Sequence, residues 1–285
     1  MVTDACWFDH DQDGDPDLVV VGEWMNVSLF INEGGSFIDK TDEAGLGETS
    51  GWWNCIRVAD LDMDGDMDLV AGNHGQNSML RASVQEPVEL WLNDFDNNGI
   101  PDPILCSYYK GNSYPIATLD EFRRQIIGIE NKYPAYADFG GQTVTDIFGE
   151  EVIAKSLVKR AVQFESAVFI NNGQGGYEIS SLPTEAQLSP IRSIIVDDFN
   201  LDGILDLLLA GNNYSTRPSL GRQDASYGWL MLGKGDLEYE AIWPSKSGFF
   251  LDGDARHMHL IDIEGKPTLV ALPNNGNFKL FIHGK

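Results

Sequence analysis

Short apolar runs, too brief for amphipathic helices, alternate along the chain with acidic and glycine-rich turns. Leu18-Val-Val-Val21, Leu69-Val70-Ala71, Ile104-Leu105 and Leu207-Leu-Leu209 are the clearest. Two more, Ile56-Arg-Val-Ala59 and Ser193-Ile-Ile-Val196, sit just ahead of acidic stretches. Runs of this length bounded by turn residues predict strands. A further element, Phe30-Ile-Asn32-Glu-Gly34-Gly-Ser-Phe37, returns as Phe169-Ile-Asn171-Asn-Gly173-Gln-Gly-Gly176-Tyr177. Weaker copies are Leu230-Met-Leu232-Gly233-Lys-Gly235 and Leu280-Phe-Ile-His-Gly284. A strand that reaches Asn-Gly and continues into an aromatic predicts a hairpin.

The repeating unit is therefore strand, acidic loop, strand, connection, strand, Gly-rich turn, strand. Four antiparallel strands per repeat is the plan of a propeller blade. The expected fold is all-β, a β-propeller of about five blades at about 1–48, 49–85, 86–186, 187–246 and 247–285. Successive acidic loops start 51, 34 and 104 residues apart. The long last interval predicts a helical insertion in the third blade, at about 116–165. There Thr118-Leu-Asp-Glu121 has the form of a capping box, and Ile153, Leu157, Val158, Ala161 and Phe164 follow helical spacing.

The acidic loops carry the candidate chemistry. Loop one offers Asp9, Asp11, Asp13, Asp15 and Asp17, and loop two Asp60, Asp62, Asp64, Asp66 and Asp68. Loop three offers Asp94, Asp96, Asn98, Ile100 and Asp102, and loop four Asp198, Asn200, Asp202, Ile204 and Asp206. Oxygen side chains at relative positions 1, 3, 5 and 9, with glycine at 6, describe a turn wrapped around Ca²⁺, which takes six to eight oxygens at about 2.3–2.6 Å. Position 7 varies freely, as expected of a residue that contributes only its carbonyl. An EF-hand is excluded, because position 12 is Val20, Ala71, Leu105 or Leu209 and the flanks read as strands. The closing, bidentate carboxylate then falls to position 9. Up to four Ca²⁺ are expected, more weakly at loops three and four, where Asn98 and Asn200 replace carboxylates. A fifth loop, Asp262-Ile-Glu264-Gly265, is shortened, with Thr268 at the closing position, and none is expected there.

At 285 residues the chain fits one large all-β domain. Its net charge of −25 would stay strongly negative with four Ca²⁺ bound, which argues against nucleic acid as a partner. No stretch is apolar enough to span a membrane. Cys6, Cys55 and Cys106 fall in predicted strands, too few and too scattered for a disulfide framework. Loops of this kind work at free calcium of about 10⁻⁴–10⁻³ M, which favours the cell exterior or envelope.

The Asp-x-Asp-x-Asp-Gly-x-x-Asp-Leu loop with a following Phe-Ile-Asn-x-Gly turn resembles FG-GAP/VCBS-type repeats. Such repeats build the calcium-bearing propeller of integrin α subunits and of many bacterial surface proteins. The segments Phe164–Gly173, Val196–Gly203, Leu209–Asn212 and Asp224–Gly228 are closer still to bacterial VCBS-repeat proteins related to the cartilage acidic protein group. The resemblance implies calcium in the hairpin between a blade's first two strands. With the chain entering a blade's first strand almost at once and stopping where the last blade's fourth strand would begin, a parent propeller of about seven or eight blades is expected, the remainder lying upstream.

No serine elbow, His-Glu-x-x-His or phosphate loop is present, so no catalytic role is expected. Of the histidines, His10 sits inside loop one and His74 and His283 stand alone. His257 and His259 share one strand face without a third ligand. Trp24, Trp52-Trp53, Tyr108-Tyr109, Tyr114 and Tyr214 are candidates to stack on sugars or grip a protein, whereas Trp7 and Trp91 read as core. The expectation is a calcium-binding propeller of an exported protein that binds a glycan or an extracellular protein. An envelope hydrolase or lyase acting on polysaccharide, or a purely architectural repeat, are the competing readings.

Overall fold

A computed structural model describes residues 1–217 and 220–282. His283 and Gly284, from the last of the Gly-turn copies, lie outside the described residues. The chain forms two compact units, one of residues 1–79 and 164–285, the other of residues 80–163. It is β-rich and antiparallel throughout, with few and short helices.

In the larger unit, β1 (Val2–Phe8), β2 (Asp17–Met25), β3 (Ser28–Glu33) and β4 (Ser36–Asp39) form a meander, and β5 (Gly51–Trp52) adds to the far end of β2. The next hairpin is β6 (Cys55–Ala59) and β7 (Asp68–Gly72). The chain then leaves for the smaller unit. There β8 (Val88–Asn93), β9 (Asp102–Tyr109) and β10 (Asn112–Pro115) precede five short helices, and β11 (Leu157–Ala161) closes the sheet against β8. The helices are α1 (Leu119–Gln125), α2 (Ile129–Lys132), α3 (Tyr136–Phe139), α4 (Val144–Phe148) and α5 (Glu150–Ala154). Thr118 caps α1 through the expected box: its N–H donates to Glu121 at 2.8 Å, and Glu121 N–H donates back to its hydroxyl. Phe122, Ile126, Ile129, Val144 and Ile147 bury the helices against Ile104 and Cys106 of β9.

Back in the larger unit, β12 (Ala167–Asn171) and β13 (Tyr177–Ser181) complete the sheet begun by β6 and β7, with Phe169 opposite Leu69. A third sheet runs β14 (Ile191–Asp197), β15 (Asp206–Gly211), β16 (Trp229–Gly233) and β17 (Tyr239–Ile242). A fourth runs β18 (Ala255–Ile263), β19 (Lys266–Pro273) and β20 (Lys279–Ile282).

Continuous apolar strands, rather than alternating ones, follow from sheets covered on both faces. Leu69 and Ala71 face the first sheet's Val19, Val21 and Leu29, while Val70 between them faces Ile194, Leu207 and Leu209 of the third. Leu208 in turn faces Met258, Leu269 and Ala271 of the fourth. The four sheets thus stack in sequence through three apolar cores, each fully buried aliphatic side chain contributing about 1.5–3 kcal/mol. Among the described residues no strand pairing joins the fourth sheet back to the first.

Three expectations change. The strands Ala167–Asn171 and Tyr177–Ser181, placed by sequence in a third blade of 86–186, pair with β7 and belong to loop two's sheet. What interrupts that sheet is a whole unit with its own sheet and loop three, and the helices expected at about 116–165 lie inside that unit, as α1–α5 between β10 and β11. Leu157, Val158 and Ala161 lie on a strand instead of a helix, since a run this short takes the geometry of its partner strand. Trp7, expected in the core, is 61% exposed and packs at a tilt on Phe37, ring centres 5.7 Å apart. The cysteines meet the expectation: all three are free, in β1, β6 and β9.

Candidate metal centres

Each acidic loop joins the first two strands of its sheet, or β8 to β9 in the smaller unit, and all four adopt one backbone. Position 4 is left-handed in every case (Gln12, Met63, Asn97 and Leu201, φ 60 to 63°), as is the glycine at position 6 (Gly14, Gly65, Gly99 and Gly203, φ 87 to 99°). A left-handed Met or Leu is unfavourable on its own, so the loop's internal bonds hold it there. Those bonds repeat. The position 1 carboxylate accepts from the glycine N–H: Gly14 to Asp9 at 3.0 Å, Gly65 to Asp60 at 3.2 Å, Gly99 to Asp94 and Gly203 to Asp198 at 2.8 Å. Position 5 accepts from the N–H of position 7: Asp15 to Asp13 and Asp66 to Asp64 at 2.8 Å, Ile100 to Asn98 at 2.7 Å, Ile204 to Asp202 at 2.9 Å. Position 3 accepts from the N–H of position 5 in all four.

The ninth residue is the keystone. Asp17, Asp68, Asp102 and Asp206 are buried, and one oxygen of each accepts the N–H of position 2 (His10, Leu61, Phe95 and Phe199) at 2.7 to 3.1 Å. In the larger unit the other oxygen accepts an N–H from the third strand: Asn32 to Asp17 at 2.7 Å, Asn171 to Asp68 and Gly233 to Asp206 at 2.8 Å. This explains the Phe-Ile-Asn-x-Gly element. The Asn32 and Asn171 amides donate to the position 8 carbonyls of Pro16 and Met67 and accept from Gly35 and Gly173 in the hairpin turn. These two asparagines tie loop to blade, a role that sequence reading did not give them, although their recurrence signalled it. At Gly233 the strand comes too close for any side chain: a Cβ would lie 2.5 Å from the Leu205 carbonyl oxygen.

The donor set suits a hard cation. Asp9, Asp11 and Asp13 bring one oxygen each within 4.8 Å of one another, as do Asp60, Asp62 and Asp68, and Asp94, Asp96 and Asp102. In loop one that gathering leaves out Asp17; in loop four Asn200 spends its amide on Asp202 at 2.9 Å. Burial pushes the carboxyls of Asp68, Asp102 and Asp206 up, against the backbone N–H groups that pull them down. Desolvation likewise raises Asp11 and Asp62, with neighbouring loop carboxylates adding to the rise. Among the described residues no lysine or arginine forms an ion pair with any carboxylate of the loops. Asp60 Oδ1 is buried with no hydrogen-bond partner at all. Concentrated, desolvated and unpaired negative charge with oxygen-only donors fits Ca²⁺. At position 7, Ile100 is exposed, and the Asp66 side chain accepts from Gln12 of loop one at 2.8 Å. The fifth loop is reduced to a two-residue turn, with Glu264 and Gly265 both left-handed.

Residues 9–71 match the FG-GAP-like repeat family. That span runs from the first aspartate of loop one into β7, the strand after loop two. No curated protein sequence matches the chain. Among solved structures, it is similar to the V. cholerae biofilm matrix protein Bap1, with 10% identity over 98% of this chain and a TM-score of 0.33. The chain spans 62% of that protein's length.

Of the other candidates, His257 and His259 are exposed on β18, and no metal-ligating cluster among the described residues includes them. Trp53 is fully buried in the first core. Tyr109 and Tyr214 are exposed, each under a cation, Lys110 and Arg222 respectively.

Proposed function

We propose that the chain is a non-catalytic, calcium-binding repeat protein of the cell exterior or envelope. Its acidic loops brace a propeller-type array of sheets, and loops elsewhere bind a glycan or an extracellular protein. The observation that carries the metal reading is the single hydrogen-bond network repeated in four loops, closed around carboxylates with which no lysine or arginine among the described residues forms an ion pair. The FG-GAP-like match over 9–71 supports it. Binding through loops agrees with a framework whose acidic residues are committed to the loop network. Weak sites of this kind fill at extracellular calcium and stay largely empty at cytosolic levels, which is why the exterior is preferred. Elemental analysis after dialysis against calcium, paired with melting curves in calcium and in excess EDTA, tests the reading. Bound calcium near four per chain and a melting point that falls in EDTA are expected; an unchanged melting point would refute it.

A further inference from the structure

At the strand ends away from the acidic loops, all four sheets of the larger unit contribute to one cluster. Glu23 and Trp24 come from β2, Trp52 from β5, and His74 from just after β7. Arg192 belongs to β14, Gln223 to the connection between β15 and β16, and Asp254 and Arg256 to the start of β18. Trp52 packs on Trp24 at 5.1 Å, on His74 at 4.9 Å and on Phe164 at 4.8 Å between ring centres. Gln223 Nε2 meets His74 Nε2 at 2.9 Å, and Arg256 donates to Asp254 at 2.7 Å. Trp24 holds a left-handed backbone, φ 62°, a strained state for a bulky residue of the kind found where a site is being shaped.

Among the described residues, six buried side-chain polar atoms lack a partner, and four of them are here: Trp52 Nε1, Arg192 Nε, Gln223 Oε1 and Asp254 Oδ1. Gln223 and Asp254 are more than nine-tenths buried. Among the described residues the Arg192 side chain has no ion-pair or hydrogen-bond partner, and of its side-chain nitrogens only Nε is sealed from solvent. Arg256 lies near enough to repel it, with Asp254 and Glu23 as the opposing charges. In a chain with 19 basic and 44 acidic residues, a guanidinium left unpaired beside a second one is a local anion-binding feature.

We propose that this end of the larger unit binds an acidic saccharide. Arg192 takes the sugar carboxylate with its open fork, Trp24 and Trp52 pack on the apolar ring face, and Gln223 and Asp254 accept from hydroxyls. The ligand class follows from the donor and acceptor balance. Sulfate satisfies Arg192 but offers nothing to the two unpartnered acceptors. Inorganic phosphate brings hydroxyls on the same small centre as its charge, with no apolar face for the tryptophans. A uronic acid carries a carboxylate, hydroxyl donors set apart from it and an apolar ring face. Reaching the sealed acceptors takes a side-chain rotation, an ordinary adjustment on binding. The inference rests on reading the chain as a binding module, and it names that module's ligand.

The test is calorimetric titration of the full chain, in fixed calcium, with a glucuronate-containing hyaluronan tetrasaccharide. Neutral chitotetraose, inorganic phosphate and tri-glutamate serve as comparison probes. Saturable binding of the acidic tetrasaccharide alone is expected, weakened about tenfold to a hundredfold in Arg192→Gln, a charge-assisted pair being worth about 1.5–3 kcal/mol. Arg192→Lys should fall between, because it restores charge without the fork, and Trp24→Ala should weaken binding at a temperature where its melting curve shows the variant still folded. No binding of the acidic tetrasaccharide overturns the proposal. So does equal binding of the neutral one, equal or tighter binding of phosphate or tri-glutamate, or full affinity in Arg192→Gln. Melting in EDTA is scored separately: a calcium-stabilised protein that ignores the saccharide refutes this inference and spares the metal reading.

Discussion

Replacing Asp68 by Asn separates the two tasks of the ninth carboxylate. Asp68 is 1% exposed; one oxygen accepts Leu61 N–H at 2.9 Å and the other Asn171 N–H at 2.8 Å. The amide keeps the shape but turns one acceptor into a donor, leaving a buried N–H without a partner at a cost of about 1–3 kcal/mol. Against this, the amide escapes the desolvation that raises the Asp68 carboxyl. In EDTA the two effects oppose, so the net loss is at most about 3 kcal/mol. In calcium the variant also loses site two. At free calcium a hundredfold above the dissociation constant, a site contributes about 2.7 kcal/mol. For a unit of roughly 200 residues, at about 2–4 °C per kcal/mol, that adds about 5–11 °C to the drop in melting point. Scanning calorimetry of both proteins in saturating calcium and in EDTA reads the difference directly. If the drop is the same in the two buffers, Asp68 is a structural hydrogen-bond acceptor and not a calcium ligand.

Removing residues 80–163 and joining the ends with a short Gly-Ser linker should leave the larger unit folded. Gly75 N–H already donates to the Phe164 carbonyl at 2.7 Å, so the joined ends are close. Bound calcium per chain should fall by one, for loop three; an insoluble product or an unchanged stoichiometry would count against the two-unit partition. Asn171→Ala deletes bonds to Met67 and Gly173 and should cost about 1–2 kcal/mol in chemical denaturation, whereas Gly233→Ala should cost about 1–3 kcal/mol by driving a Cβ into Leu205. A neutral effect of either would contradict the tie between third strand and loop. The pH response should reverse with calcium. The folded values of Asp11, Asp62, Asp68, Asp102 and Asp206 are raised above 3.8, so in EDTA their protonation favours the fold. Melting points in EDTA should therefore rise as pH falls from neutrality through those raised values towards 3.8, and in calcium fall over the same range as protons displace the metal. Parallel slopes in the two buffers would refute the claim that the metal answers this charge.

The loops were legible because their chemistry is local: nine residues contain the oxygens, the glycine and the turn, and four copies give the phase. Strand pairing is not local, and there the sequence misled. Asn32 N–H reaches Asp17 from fifteen residues away, within one meander, but Asn171 N–H reaches Asp68 across 103 residues, past an entire second unit. Assigning Phe169-Ile-Asn171 to the nearest preceding loop, Asp94–Asp102, was natural and mistaken. A physical rule would have found the partner. In the larger unit each buried ninth carboxylate takes a third-strand N–H, and the strand that supplies it either carries an Asn to hold the position 8 carbonyl or is a Gly that lies against it. Loop two has no such strand before residue 80, which marks its sheet as unfinished. After loop three, β9 is followed at once by its partner β10, which carries no Phe-Ile-Asn-x-Gly element, so the Asn171 hairpin was free for loop two. The short interval of 34 residues between the starts of loops two and three was the visible edge of an insertion. The cluster around Arg192 was invisible for the same reason: its residues lie on all four sheets of the larger unit, and only the stacking of those sheets brings them to one place.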